Sequence, residues 1–216
     1  MKKMKKILMT MIITGIAIGT QAQSEKFTAA VKSNITALDT SFKNPSSLIT
    51  VANNFERIGL AEKTQWLPFY YAAYCNMMYA FMQQDPSGND AIADRAEALI
   101  NKADSLAPDN SEISSVKSMI ATVRMIVNPQ VRFMKYGTEA NQLMEKAKQQ
   151  DPTNPRPYYL QGQNLKNTPE QFGGGCKTAK PLLETAMQKY EAFKIQSDIH
   201  PNWGKQITEQ LLSQCK

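Results

Sequence analysis

The chain has 216 residues, with 25 basic and 19 acidic side chains, three cysteines and one histidine. One histidine excludes the familiar zinc sites, which need several nitrogen or sulfur ligands. The formal charge of +6 invites a nucleic-acid reading, but four of the lysines fall within the first six residues, and the rest of the chain does not sustain that reading.

The opening residues, MKKMKKILMTMIITGIAIGTQAQ, have the order of a secretory signal: a basic start, an uncharged apolar run from Ile7 to Gly19, then small residues at Thr20 and Ala22. The run spans 13 residues, short of the ~20 that cross a bilayer as a helix. Residues 1–22 are therefore expected to be a signal peptide cleaved after Ala22, with no stable membrane span left afterwards. The mature part, 23–216, keeps 21 basic and 19 acidic residues, a net of +2. It is long enough for one core or one short repeat array.

Beyond the leader the chain shows helical periodicity and no alternating runs that argue for strands. The breaks fall at Asn44-Pro45, Asp85 to Gly88, Ala107 to Asn110, Asn128-Pro129, Asp151 to Pro155, Phe172 to Gly175 and His200-Pro201. Asn before Pro suits an N-cap followed by the first helical residue, where a missing N–H costs nothing. About nine helices are predicted, at 24–42, 46–63, 66–84, 89–106, 111–127, 129–149, 155–167, 175–194 and 202–215.

Three of these helices share a pattern: Ala96, Leu99, Ile100 and Ala103; Ala140, Leu143, Met144 and Ala147; Ala179, Leu182, Leu183 and Ala186. A weaker copy runs from Ala52 through Phe55 to Gly59. Residues at 0, 3, 4 and 7 lie on one helix face, where terminal alanines let a neighbour approach and the large residues between them fill the gap. In the first two copies Pro108 and Pro152 follow at a fixed distance and end the helix. The copies recur at steps of 44, 44 and 39 residues, a spacing that implies stacked helix pairs.

In these residues the chain resembles the tetratricopeptide repeat family, with Pro157 to Gly162 similar to the family's first helix. The resemblance implies an all-α solenoid, a right-handed superhelix of about four antiparallel helix pairs capped by a C-terminal helix. It also implies a concave groove that binds a protein or peptide partner without catalysis. Placing the family's register on this chain puts Tyr71, Lys117, Arg124, Tyr159, Gln163 and Lys166 in the groove.

Other constellations in the chain compete with this reading. Cys176 and Cys215 are expected to form a structural disulfide, with Cys75 a buried free thiol in the run YYAAYCNMMYAFM. Cys75, Met78 and Met82 share a helix face that would suit Cu(I), but the methionines are better explained as core filling. The aromatic cluster from Trp66 to Phe81 is read as core, and His200 as a cap for the last helix. FGGGCKTAK lacks the glycine spacing of a phosphate loop and is read as a turn between helices. No nucleophile, base or metal set supports an enzyme, and no cofactor is expected. The sequence thus points to an exported, non-catalytic interaction module in the periplasm or cell envelope. The alternative is a periplasmic carrier that holds a sugar, lipid or copper ion between repeats.

Overall fold

The computed structural model describes residues 25–215. The signal sequence and the cleavage at Ala22 lie outside the described residues. Within them the chain is all-helical, and no helix is long and apolar enough to cross a membrane. The helices are α1 (25–41), α2 (Pro45–Glu62), α3 (Trp66–Phe81), α4 (Asn89–Leu106), α5 (Ser111–Ile126), α6 (Pro129–Arg132), α7 (Thr138–Gln150), α8 (Arg156–Asn167), α9 (Cys176–Ala192) and α10 (Lys205–Ser213). A π-helical turn, Phe133–Gly137, joins α6 to α7, so the predicted rod over 129–149 is present with a widened turn inside it.

The local signals act as expected. Asn110 accepts from the amides of Glu112 and Ile113, and Asn128 from that of Val131, satisfying donors that a helix start leaves open. Pro45 and Pro129 occupy first-turn positions, where φ is already helical. Short turns fold each helix back on the last, and two layers result. The helices α3, α5 and α8 touch in sequence along one layer; α2, α4, α7 and α9 carry the alanine pattern and back them. Ala96, Ala103, Ala140, Ala147, Ala179 and Ala186 are all buried, as are Ile100, Met144 and Leu183 between them.

Helix α3 is apolar on every side because it lies between α2, α4 and α5. Phe69, Tyr70, Tyr71 and Tyr74 are buried there, whereas Phe81 emerges at its C-terminal end.

After α9 the chain runs without helix over residues 193–204 and then enters α10, which packs on α9 and α8. Cys176 and Cys215 are disulfide-bonded, with Cα atoms 5.1 Å apart, so the end of α10 is tied to the start of α9. Closing a loop of separation 39 in this way contributes about 4 kcal/mol in the chain-entropy account. Cys75 is a buried free thiol.

Candidate functional site

The α3, α5 and α8 layer forms a concave wall, and the segment 193–204 with α10 crosses opposite it. Between them lies a cavity of about 1520 Å³. Its wall is built from Tyr74 and Met78 of α3, Met119, Met125 and Ile126 of α5, and Tyr159 and Leu160 of α8, closed on the far side by Trp203 and Ile207. The rim bears Phe42, Phe81, Phe133, Met134 and Phe172. Among the described residues, six of the eleven exposed large apolar side chains line this one cavity: Phe42, Phe81, Phe133, Met134, Phe172 and Ile207. Apolar side chains gathered at a concavity, unlike ones scattered singly, mark a binding surface.

Polar groups are few and mostly uncharged. Gln163, Asn164 and Asn167 of α8, Thr122 of α5, Asn202 of the segment 193–204, here called the strap, and Gln206 of α10 provide amides and a hydroxyl. Among the described residues, Lys205 is the one cation on the lining, with Asp39 and Glu209 the acids. Asn164 donates to Thr122 Oγ1 at 3.2 Å, fastening α8 to α5 across the wall. Burial pushes the phenols of Tyr74 and Tyr159 well up from the usual tyrosine range, so both stay neutral at ordinary pH.

Trp203 is held from several directions. Its ring stacks on Tyr74 at 4.8 Å and meets Tyr159 edge-on at 6.2 Å. Its indole N–H donates to Tyr70 Oη at 2.8 Å, and Tyr70 in turn donates to Glu112 at 3.2 Å. Gly204 follows at φ 104°, a conformation L side chains rarely adopt, and a Cβ there would strike the Tyr190 hydroxyl.

Of the six residues that the repeat register assigns to a groove, Tyr159 and Gln163 line the cavity. Tyr71 lies beneath the strap, stacked on Phe55 and donating to Ile199 O at 3.0 Å. Lys117 pairs with Asp104 at 2.7 Å, and Arg124 with Asp94 and Glu97 at 2.8 and 2.7 Å, all on α4. Lys166 is half-buried and off the lining. His200 sits in the strap with Nδ1 2.7 Å from Ser197 Oγ, away from the cavity. Cys75 is fully buried, and its thiol is pushed far up by desolvation, which disfavours the thiolate that Cu(I) would need. The glycine-rich stretch forms the turn from α8 to α9.

Most of the lining was not singled out from the sequence: Met119, Met125, Phe133, Met134, Phe172, Trp203 and Ile207. Trp203 falls inside the predicted helix 202–215, whereas the structure begins α10 only at Lys205 and leaves Trp203 in the non-helical segment before it.

The HusA haemophore from Porphyromonas gingivalis superposes with a TM-score of 0.79 at 39% sequence identity, over 88% of this chain and 92% of that one. The chain belongs to the family of this haemophore. No family model matches the chain, so the tetratricopeptide resemblance finds no support there, and no curated protein sequence matches it. The expectation of a protein or peptide partner is overturned: the solved relative is by name a carrier of haem. The reason lies in the packing. A peptide groove on a helical repeat is open along its length, whereas here the strap and α10 cross the concave face and turn it into a cavity.

Proposed function

We propose that this chain is an exported, non-catalytic carrier whose cargo is haem or a closely related porphyrin, held in the cavity between the α3–α5–α8 wall and the C-terminal strap. One observation carries the reading: among the described residues, six of the eleven exposed large apolar side chains line a single cavity that also exceeds the ~300–1,000 Å³ of most small-molecule sites. A large, flat, mostly apolar macrocycle needs such a space. The relationship to a haemophore supports the choice of cargo, and the basic and apolar leader together with the disulfide supports export to an oxidising compartment.

The lining also supports a reading of how the cargo is held. Haem iron takes His, Cys, Met or Tyr ligands. The sole histidine and the free cysteine are off the lining, and the tyrosines are neutral phenols. Thioethers of Met78, Met119, Met125 and Met134 are the remaining donors. With thioethers the softest and weakest of these donors, the aromatic and apolar lining supports affinity carried chiefly by contact with the faces and edges of the ring.

Titration of the mature chain with haemin, followed by the Soret band, is expected to saturate at a defined stoichiometry. Metal-free protoporphyrin should bind within about tenfold of haemin, because little of the free energy passes through the metal. Failure of both to saturate, with a fatty acid, a sugar or Cu(I) binding instead, would overturn the reading in favour of a different cargo.

A further inference from the structure

Beneath the cavity, and outside its lining, a fully buried arginine pairs with a largely buried glutamate at the place where the strap meets the helical layer. Arg156, the first residue of α8, is fully buried; its Nη1 donates to Glu112 Oε1 at 2.7 Å, and its Nη2 donates to the carbonyl of Pro201 in the strap. The guanidinium lies over the rings of Phe193 and Trp203, 4.9 and 5.2 Å from their centroids. Glu112 also accepts from Asn154 at 2.9 Å and from Tyr70, whose hydroxyl receives the Trp203 indole N–H. Every bond Arg156 makes ends on Glu112 and its neighbour Asn154 or on the strap.

Packing a bare ion pair into a core gains little, because desolvation opposes the attraction. This pair makes sense as a clasp. A planar fork can hold a carboxylate on one side, a backbone carbonyl on another, and stack between two aromatic rings, which an ammonium cannot do. The strap has no helix or strand hydrogen bonds of its own over 193–204, so side-chain ties set its position. Among those ties are Arg156 to Pro201, Tyr71 to Ile199, Tyr190 to the Trp203 carbonyl at 3.1 Å, the Trp203 indole to Tyr70, Thr208 to the Gly204 carbonyl, and the exposed Lys32–Asp198 pair.

We infer that Glu112 and Arg156 are positioning residues for cargo: without touching it, they fix the strap and so hold Trp203 in the cavity wall at the geometry that binds the ring. The inference rests on the carrier reading above. It assigns to two residues outside the site a share of the affinity that contact with the cargo would not reveal.

The test uses the mature chain carrying Trp66→Phe, which leaves Trp203 as its remaining tryptophan. On that parent are placed Glu112→Leu with Arg156→Met, which exchanges the ion pair for apolar side chains, and separately Arg156→Lys, which keeps the charge but loses the planar fork. Acrylamide quenching of Trp203 and the helical melt are read without cargo; the Kd for haemin is read by Soret titration. The double variant should keep its helical signal and a cooperative melt, since buried ion pairs often exchange neutrally for apolar residues. Its Trp203 should become markedly more quenchable, and its Kd should rise at least about tenfold. Arg156→Lys should move both in the same direction, with Kd up about threefold or more. If the double variant does not fold, Arg156→Lys decides alone. Trp203 as protected as in the parent, or a Kd within about twofold of it despite an exposed Trp203, would overturn the inference. A parent that fails to bind haemin sinks the carrier reading instead, while the quenching data still decide whether the pair anchors the strap.

Discussion

Gly162 of α8 sits where α9 crosses closest. A methyl group in its place would lie 2.7 Å from Leu183 Cδ2 and 2.8 Å from its Cγ, and Leu183 is itself fully buried in the middle of the alanine pattern. The leucine has no free space to swing into, so either its rotamer or the helix separation must give. Gly162→Ala is expected to lower stability by about 1–3 kcal/mol, an overpacking penalty that outweighs the gain in helix propensity. Urea unfolding measures it, and a loss below ~0.5 kcal/mol would show that the crossing is looser than drawn. This contact was legible in the sequence from both sides. Gly162 closes an aromatic-led helix start, and Leu183 lies between two alanines at helical spacing, so each partner declared its face within eight residues. Arg156 and Glu112 were not legible, because their meaning is a contact across 44 positions and each alone reads as a solvated charge near a helix start.

Among the elements, the π-helical turn after α6 carries two exposed apolar side chains of the cavity rim, Met134 at 78% and Phe133 at 45%. A π turn widens the helix and redirects its side chains, a feature found often at functional sites. Arg132 fastens this element to α4 by two bonds to the Asp90 carboxylate, at 2.7 and 2.9 Å, and donates to Arg124 O. The Arg132 bonds hold the Asp90 carboxyl below its ordinary range. The folded value is therefore lower than the unfolded one. The stabilisation is complete above the unfolded carboxylate value of ~3.9 and disappears as pH falls through the folded value. Thermal melts of Asp90→Asn against the parent should differ at pH 7 and converge as the pH falls below the folded value, with a smaller gap at high salt because the pair is partly exposed. A gap that persists unchanged at low pH would show that Asp90 acts by something other than its charge. The helix boundaries here were readable from Asn128 and Pro129, but the π turn was not, since nothing in the residue pattern marks one extra residue in a continuous rod.

At the scale of the molecule, the sequence disclosed the layers but not which surface of each inner helix faces the cavity. The repeat pattern lies on the backing helices α2, α4, α7 and α9, whereas the cavity belongs to α3, α5 and α8, to the rim and to the strap. Those residues come from seven separate segments and share no period. On α8 the family register meets the cavity through Tyr159 and Gln163. On α5 the residues facing the cavity are Met119, Thr122, Met125 and Ile126, while Lys117 and Arg124 point to the acids of α4. Two sets of charge substitutions on and beside the same helix therefore separate the faces. Lys117→Glu with Arg124→Glu abolishes three ion pairs, places like charges beside Asp104, Asp94 and Glu97, and should lower stability by about 1 kcal/mol or more. It should leave haemin affinity within about twofold, because neither side chain reaches the cargo. Met125→Glu with Met134→Glu should do the reverse. Met134 is largely exposed and Met125 partly so, and stability should fall by less than 2 kcal/mol or so. A carboxylate beside the apolar ring must be desolvated on binding, which should raise the Kd more than about tenfold. Soret titration and chemical unfolding of the two double variants give all four numbers. If affinity followed the α4-facing pair and ignored the methionines, the cargo would sit on the opposite face of α5 and the cavity would lose its assignment.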